Sequence, residues 1–241
     1  MSHHVFLCEE LQEDSTQLTL PQDEAMHLAK VLRLETGDAI TLINGRGISA
    51  DATVQHLEMH GRNCSVECRI DNATCIPQPR PALRLYIAPP KGKNMDLLLK
   101  EATELGISRI TPIICKYSVS KPEDNKANWR QHLIAACKQS RNPWLPQMDA
   151  PLPFKDALDA GKELHFLGAV PREGNAAPMP DLAYAAQNGT ALWIGPEGGF
   201  SSEEEASLFA KKAVPITVGN WILRVETAVP ALLGYIHAIL K

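Results

Sequence analysis

A glycine-rich turn is the sharpest chemical signal in this sequence of 241 residues. Residues 192–201 read LWIGPEGGFS, an apolar strand that runs into a turn with three glycines. Glycine lets a flat ligand approach main-chain N–H and C=O groups, because no Cβ stands in the way. Ligands of open α/β sheets bind where strands end, so the turn is a candidate ligand site. A tight connection without a ligand is the alternative.

The residues around this turn argue against one class of ligand, and they predict that a helix follows the turn. No Gly-Lys-Ser/Thr comes after the turn, and the glycines do not have GxGxxG spacing, so the pattern disfavours a phosphate-binding loop. Ser201 with Glu204, or Ser202 with Glu205, forms a capping box. A capping box predicts that a helix begins directly after the turn.

A second cluster of reactive side chains lies after the next predicted strand. Residues 218–228 read VGNWILRVETA and lead into a predicted helix. Arg224 and Glu226 place a fixed cation and a carboxylate beside a loop, and Thr227 is a candidate cap for the helix. The alternative is an ordinary salt-bridged helix start without chemistry.

Together the two segments resemble the paired motifs of the RsmE family, SPOUT-class methyltransferases that modify N3 of a uridine in 16S ribosomal RNA. GPEGGFSSEE at 195–204 and GNWILRVETA at 219–228 are similar to that family's GPEGGFS-x-x-E and LG-x-x-ILR-x-ETA motifs. KGKNMDLLLKEATELGISRITPI at 91–113 and HLAKVLRLETGD at 27–38 extend the resemblance over nearly the whole chain. One departure is Lys138–Pro143 (KQSRNP), where the family usually has an acidic-Gln pair ahead of Gly-Arg.

The resemblance implies a fold, a methyl donor and partners. It implies an α/β SPOUT domain with a mainly parallel sheet and a C-terminal trefoil knot, preceded by a small β-rich PUA-like domain. S-adenosylmethionine would lie bent in the knotted loops at a homodimer interface. The substrate would be 16S ribosomal RNA or the small ribosomal subunit. An enzyme acting on a ribose 2′-oxygen or on tRNA, and a non-catalytic RNA-binding protein, remain alternatives.

The resemblance also assigns roles to individual residues. The proposed donor-binding residues lie at three strand ends and are Leu167, Gly168, Ile194, Gly195, Pro196, Glu197, Gly198, Gly199, Val218, Gly219, Leu223, Arg224, Thr227 and Ala228. Uridine N3 carries a proton at neutral pH, so a base or a cation that stabilises the anion helps the reaction. Arg224 is the candidate for orientation and charge stabilisation, and Glu226 is the candidate base.

The distribution of charge bears on where RNA would bind. The net charge of −4 is uneven, because residues 76–147 hold 12 Lys/Arg against 5 Asp/Glu, a local net of +7. Residues 1–75 hold 5 Lys/Arg against 12 Asp/Glu, and residues 148–241 hold 7 Lys/Arg against 11 Asp/Glu. A basic segment fits attraction of phosphates, although a solvated surface gives a similar pattern. The candidate RNA contacts are Arg33, Lys91, Lys93, Lys138 and Arg141.

The elements that position these residues divide the chain in two. Residues 1–74 read as short strands with one helix, and Asn44-Gly45 predicts a type I′ hairpin. The proline-rich segment 75–81 reads as a linker, so we predict domains at 1–74 and 75–241. Beyond it, strands and helices alternate, which predicts a parallel sheet covered on both faces. The apolar spacing of residues 95–105 predicts a helix that ends at Gly106.

The cysteines and the first residues suggest the compartment. The six cysteines are scattered without a CxxC pair, so we expect reduced thiols, and the first residues lack the layout of a signal peptide. We therefore expect a cytoplasmic protein without a membrane partner. His56, His60, Cys64 and Cys68 are zinc-ligand types, but Gly61 and Asn63 predict a hairpin between them, so we expect no metal site.

Overall fold

The computed structural model of the chain describes residues 4–61, 63–91, 94–119, 126–171 and 179–240. Within them the chain forms two compact units. The first unit takes the chain up to Gln78 together with Ile134–Leu145, and the second takes Pro79–Leu133 and the chain from Pro146 onward. The predicted boundary at 74/75 lies four residues before the division at Gln78.

The first unit is built on one sheet of five strands. These are β1 (His4–Leu7), β2 (Gln17–Thr19), β3 (Ala39–Ile43), β4 (Ile48–His60) and β5 (Asn63–Cys75), in the order β1-β3-β4-β5-β2. Only β1 and β3 pair in parallel. On β5, every second residue from Cys64 to Cys68 is buried, which is the period of a strand with one face on a core. Helix α1 (Gln22–Met26) continues into a π-helical turn (His27–Leu32) beside this sheet.

The connection between β3 and β4 corrects one prediction. A type I′ turn needs positive φ at both central residues, but among the described residues only Arg33, Arg141 and Lys212 combine positive φ with a side chain. The type I′ prediction at Asn44-Gly45 is therefore wrong. Instead the Asn44 side-chain oxygen accepts hydrogen bonds from the backbone N–H groups of Arg46 (2.8 Å) and Ile48 (2.9 Å). This Asx arrangement supports a longer loop.

The second unit is built on a parallel sheet. Its strands are β6 (Leu83–Ile87), β7 (Arg109–Ile114), β8 (Gln147–Met148), β9 (Leu152–Pro153), β10 (Leu164–Gly168), β11 (Thr190–Ile194) and β12 (Val214–Ile216). The order is β12-β10-β11-β6-β7-β8, with β9 beside β7, and every pair is parallel. All five residues of β6 and of β11 are buried, as expected for strands covered on both faces. The predicted α/β sheet is confirmed.

Helices connect these strands. They are α2 (Asn94–Glu104), α3 (Lys126–Ser140), α4 (Phe154–Asp159), α5 (Leu182–Asn188), α6 (Ser202–Ala210) and α7 (Val225–Ile239). The part of α3 from Ile134 onward belongs to the first unit. The predicted helix over 95–105 is α2, which buries Met95, Leu98 and Leu99, and Gly106 behind it has φ +75°. The two-residue strands β8 and β9 and the short helix α4 are elements that the sequence pattern did not predict. The trefoil knot stays a prediction.

A buried ion network joins the amino ends of β6, β7 and β10. Arg84 is 6% exposed, and its guanidinium lies 3.0 Å from the Asp149 carboxylate, 3.0 Å from the Thr111 hydroxyl and 3.4 Å from Glu163. Asp149 also accepts from Arg109 at 2.8 Å. Burial raises the pKa of Asp149, but hydrogen bonds from Arg109 and Thr111 and the two arginine charges outweigh it, so the pKa lies below its ordinary value.

We expect Asp149→Ala to lower the free energy of unfolding by about 3 kcal/mol, because it leaves the buried Arg84 charge short of a partner. Asp159→Ala, which removes an exposed partner of Lys211, is the control and should change it by less than about 1 kcal/mol. Since the folded pKa of Asp149 is depressed, its contribution is present above the unfolded pKa and is lost as the pH falls through the folded pKa. Urea unfolding at pH 7 and at acid pH measures both effects. Equal losses for the two variants would contradict the role of the network.

Candidate functional site

Three loops meet at the carboxyl edge of the second sheet. They come after β10, β11 and β12, which are neighbours in the order β12-β10-β11 and run parallel, so their carboxyl ends lie side by side. The loops surround a cavity of about 440 Å³, here called the carboxyl-edge cavity. This volume is within the usual range for a small-molecule site.

The carboxyl end of β10 contributes a glycine with little space around its Cα. Gly168 lines the cavity, and a Cβ on it would lie 2.6 Å from Cδ1 of Ile194 and 2.9 Å from Cδ1 of Leu232. Any side chain at position 168 would therefore displace both neighbours. Leu167, the other residue predicted at this strand end, is buried in the hydrophobic core and does not line the cavity.

The loop after β11 wraps the cavity with main chain. Its predicted residues Gly195, Pro196, Glu197 and Gly199 all line the cavity, as does Ile194 at the end of β11. Gly199 has φ +74° and its N–H donates to the carbonyl of Pro196 (2.8 Å), which closes a tight turn. A Cβ on Gly195 would lie 3.1 Å from the Phe200 ring. Glycine is thus needed here for both backbone conformation and space.

Gly198 has a different role from its neighbours. It does not line the carboxyl-edge cavity, and a Cβ on it would lie 3.3 Å from Cβ of Tyr117. The absence of a side chain at Gly198 lets the loop that holds Tyr117 pack closely.

The carboxylates of Glu204 and Glu197 hold the loop after β11 in place. The sequence pattern predicted only the capping box among these contacts. Of the two capping boxes predicted, the structure contains the one formed by Ser201 and Glu204. Oε2 of Glu204 accepts a hydrogen bond from the backbone N–H of Ser201 (2.8 Å). Its Oε1 accepts from the N–H of Lys116 (2.9 Å), so the same carboxylate ties a second loop to the site. Glu197 accepts from the N–H of Lys91 at 3.0 Å.

The loop after β12 supplies the charged candidates. Val218, Leu223, Arg224 and Ala228 line the cavity, whereas Gly219 and Thr227 do not. The prediction that Thr227 caps the last helix is wrong. Arg224 is the N-cap of α7 and no side chain caps it, while Thr227 uses only its backbone N–H, which donates to the Arg224 carbonyl (3.0 Å).

Arg224 and Glu226 both line the carboxyl-edge cavity. Arg224 is exposed and Glu226 is half-buried, and no ion pair joins the two within the described residues. The alternative interpretation, that Arg224 and Glu226 form a salt bridge at the helix start, is therefore wrong. Both side chains remain available to a ligand.

A third carboxyl group lies near Glu226. Glu101 on α2 has an Oε2 atom that is buried and has no hydrogen-bond partner within the described chain. Burial raises the pKa of Glu101, and the charges of Glu104 and Glu226 raise it further. Glu101 thus holds a proton more readily than an ordinary glutamate, next to the helix that carries Glu226.

The candidate RNA contacts lie in both units. In the first unit, Arg33 and Arg141 are exposed and each ends a helix in the left-handed conformation. In the second unit, Lys91 is exposed next to the loop after β11, and Lys93 lies outside the described residues.

Lys138 is the least available of the predicted RNA contacts. Its Nζ lies 2.7 and 2.9 Å from the two carboxylate oxygens of Glu24, whose side chain is 8% exposed. It also lies 5.5 Å from the centre of the Phe6 ring. These contacts give Lys138 a structural role inside the first unit.

No group of three or more metal-ligating side chains occurs among the described residues. His56 is exposed and lies 2.7 Å from Glu58, whereas Cys68, one of its proposed zinc partners, is fully buried. No helix in the described ranges is long and apolar enough to cross a membrane.

Comparison with known proteins identifies related families and structures. Residues 77–237 match the family model of an RNA methyltransferase domain, and residues 20–60 match that of an RNA methyltransferase PUA domain. The chain is 32% identical to ribosomal RNA small subunit methyltransferase E of Synechocystis over 231 residues, covering 93% of this chain and 74% of the relative. It is 27% identical to the enzyme of the same name in Mycobacterium tuberculosis, covering 98% of this chain and 91% of the relative.

Two solved structures extend the similarity to the fold and the ligand. The ribosomal RNA small subunit methyltransferase E of Neisseria gonorrhoeae, bound to S-adenosyl methionine, is 25% identical with a TM-score of 0.87, covering 99% of this chain and 98% of the other. A methyltransferase of Legionella pneumophila in complex with bound SAM is also 25% identical, with a TM-score of 0.80 and the same coverage.

Proposed function

This chain belongs to the ribosomal RNA small subunit methyltransferase E family, and from that premise we propose that it transfers a methyl group from S-adenosylmethionine to N3 of a uridine in 16S ribosomal RNA. The observation that carries the proposal is the carboxyl-edge cavity, where the two motifs that define the resemblance meet in one place. The relatives named above are enzymes of ribosomal RNA, and two of the similar structures hold the methyl donor.

The cavity fits the proposed donor. Its walls include main chain at Gly168, Gly195 and Gly199, where an added Cβ would crowd a neighbour or require a strained backbone. Apolar side chains of Ile194, Val218 and Leu223 complete the walls. Such walls suit an adenosine that is recognised by main-chain groups and apolar contact. We therefore propose that the predicted residues lining the cavity hold the donor, and that Leu167, Gly198, Gly219 and Thr227 support the loops from outside.

The chemistry requires little more than alignment and removal of a proton. S-adenosylmethionine supplies a methyl group on a positively charged sulfur, which becomes a neutral thioether when uridine N3 takes the methyl in line. Uridine N3 must first lose its proton, and the resulting negative charge spreads onto the neighbouring carbonyl oxygens. Arg224 stabilises that charge with its guanidinium. Glu226 accepts the N3 proton as general base.

We propose that a second copy of the chain closes the cavity. Trp221 and Ile222 line the cavity yet are 81% and 76% exposed. Two large apolar side chains at the rim of a ligand site are typical of surfaces that bury against another protein. A homodimer would cover them and exclude water from the transferred methyl group.

We propose that exposed basic residues guide the RNA. Arg33, Lys91 and Arg141 are exposed and would contact phosphates, which position an RNA without reading its sequence. Lys93 stays a candidate on sequence grounds. Lys138 would act indirectly, through its ion pair with Glu24.

The proposal predicts one product. Purified protein with labelled S-adenosylmethionine is incubated separately with small subunits, naked 16S RNA and tRNA from a strain that lacks the gene, and the nucleosides are analysed by mass spectrometry. We expect 3-methyluridine in 16S RNA from one or both ribosomal substrates. A 2′-O-methylated nucleoside, or methylated tRNA alone, would assign a different reaction to the site. No transfer to any substrate, with the donor bound, would favour a non-catalytic RNA-binding protein.

A further inference from the structure

A second cavity lies at the opposite edge of the same sheet. It has a volume of about 880 Å³ and is here called the amino-edge cavity. Leu164 and Val214, the first residues of β10 and β12, line it, so it lies at the amino ends of strands whose carboxyl ends form the donor site. Among the described residues, none lines both this cavity and the carboxyl-edge cavity.

The amino-edge cavity contains a hydrogen-bond donor that the fold has fixed in place. His165 lines the cavity and is 6% exposed. The indole N–H of Trp193 donates to Nδ1 of His165 at 3.0 Å. Because an indole nitrogen only donates, Nδ1 must be the unprotonated nitrogen, and the ring proton sits on Nε2. No protein group within the described chain accepts from this Nε2–H.

The environment keeps His165 in that form. Burial lowers the pKa of His165, and the charges of Lys211 and Arg84 add to this effect while Glu163 opposes it. The neutral ring therefore presents one N–H to the cavity at neutral pH. This Nε2 is not among the fully buried side-chain atoms that lack a partner within the described chain, so its N–H opens onto the cavity, where a ligand or water can accept from it.

Aromatic and basic side chains line the cavity around this donor, together with the carboxyl groups of Glu163 and Asp181. Phe209 is 45% exposed and Tyr184 is 41% exposed, and both line the cavity. The Tyr184 hydroxyl donates to the carbonyl of Lys162 (2.6 Å), which fixes the orientation of its ring. Lys162 and Lys212 also line the cavity, are exposed, and form no ion pair within the described residues. Lys211 is held by Asp159 at 2.8 Å.

We infer that the amino-edge cavity binds a nucleoside monophosphate unit, with its base against Phe209 and Tyr184, a base acceptor on the Nε2–H of His165, and its phosphate on Lys162 and Lys212. Exposed aromatic faces suit bases, and free lysines suit phosphate. The unit is either one nucleotide of a single-stranded RNA or a free nucleotide. For the RNA source, the inference rests on the proposed function.

The test is calorimetry of the full chain with two probes, uridine 5′-monophosphate and a ten-residue oligouridine. Saturating S-adenosylhomocysteine fills the carboxyl-edge cavity, so that neither probe can bind there. We expect saturable binding of at least one probe. Tighter binding of the oligonucleotide that weakens in the cavity variants described next identifies an RNA strand as the ligand of this cavity. Equal affinity per nucleotide identifies a free nucleotide. No binding of either probe would overturn the inference.

Variants locate the binding. We expect the exposed double change Lys162→Ala and Lys212→Ala to weaken binding by about tenfold and to reduce its salt dependence. Phe209→Ala should weaken it by about tenfold through lost stacking. Lys155→Ala, an exposed lysine of the same unit that does not line the cavity, is the control. Unchanged affinity in the lysine and phenylalanine variants would place the nucleotide elsewhere and refute the site.

His165→Phe removes the donor but also leaves the Trp193 N–H without its acceptor, so a melting curve must accompany it. The side chains of Lys162 and Lys212 form no hydrogen bond or ion pair within the described chain, and the hydrogen bonds of their main chain remain in the alanine variants, so these variants keep the test independent of folding. The methyl-transfer assay is run on the same preparations. Nucleotide binding without methyl transfer would contradict the proposed function alone, and methyl transfer without nucleotide binding would contradict the present inference alone.

Discussion

Gly199→Val is expected to lower the affinity for S-adenosylmethionine by more than about a hundredfold. Gly199 has φ +74°, a conformation that costs a side chain about 1–2 kcal/mol. No atom of the described residues lies within 4 Å of its missing Cβ, and Gly199 lines the cavity, so valine would also enter space that the donor needs. Strain in the turn and loss of volume act together. Calorimetry with the donor measures the change.

Gly106→Val is the matched control for strain. Gly106 has φ +75° and also lacks neighbours within 4 Å of a Cβ, but it ends α2 and does not line the carboxyl-edge cavity. We expect this variant to melt a few degrees lower and to bind the donor with unchanged affinity. Equal donor affinities in Gly199→Val and wild type would exclude the loop after β11 from the donor site.

Arg224→Ala is expected to lower the rate of methyl transfer by about 10²- to 10³-fold, the usual effect of removing a group that stabilises developing charge. Arg224 lines the cavity, is exposed and has no ion-pair partner within the described chain, so its removal should leave the fold intact. We expect the donor affinity to change by only a few-fold, since the main-chain walls of the cavity at Gly168, Gly195 and Gly199 remain. Single-turnover rates and calorimetry on the same variant separate the two effects.

Arg224→Lys tests whether charge alone is sufficient. A lysine keeps the positive charge but lacks the planar fork of donors, so we expect partial recovery of the rate. A donor affinity that falls as far as the rate would instead make Arg224 a binding residue for the donor. An unchanged rate in Arg224→Ala would remove it from the reaction.

The sequence predicted the second unit better than the first, for a physical reason. The fully buried strands β6 and β11 are mainly apolar, with Arg84 as the one charged residue, and α2 has a clear apolar period, so their positions can be read from pattern alone. The loop at Asn44 depended on a side-chain hydrogen bond that competes with a tight turn, which no local pattern shows. The short elements β8, β9 and α4 are stabilised by tertiary packing around a proline-rich stretch.

The candidate site was predictable in outline because its chemistry lies in two local motifs. The motifs did not reveal which glycines face the cavity, and Gly198 and Gly219 proved to lie outside it. Long-range contacts, such as those of Glu204 with Lys116 and of Glu197 with Lys91, join residues about 90 to 110 positions apart. The compact unit that includes Ile134–Leu145 is likewise discontinuous in sequence. Only folding brings such residues together.

The central claim is that the loops after β10, β11 and β12 form one pocket for the methyl donor. A crystal structure with S-adenosylmethionine tests this most directly. We expect electron density for the donor between Gly168, Gly195 and Leu223, with its methyl group directed toward Arg224 and Glu226. Donor density at any other place, or loops that lie apart with no donor between them at saturating concentration, would contradict it.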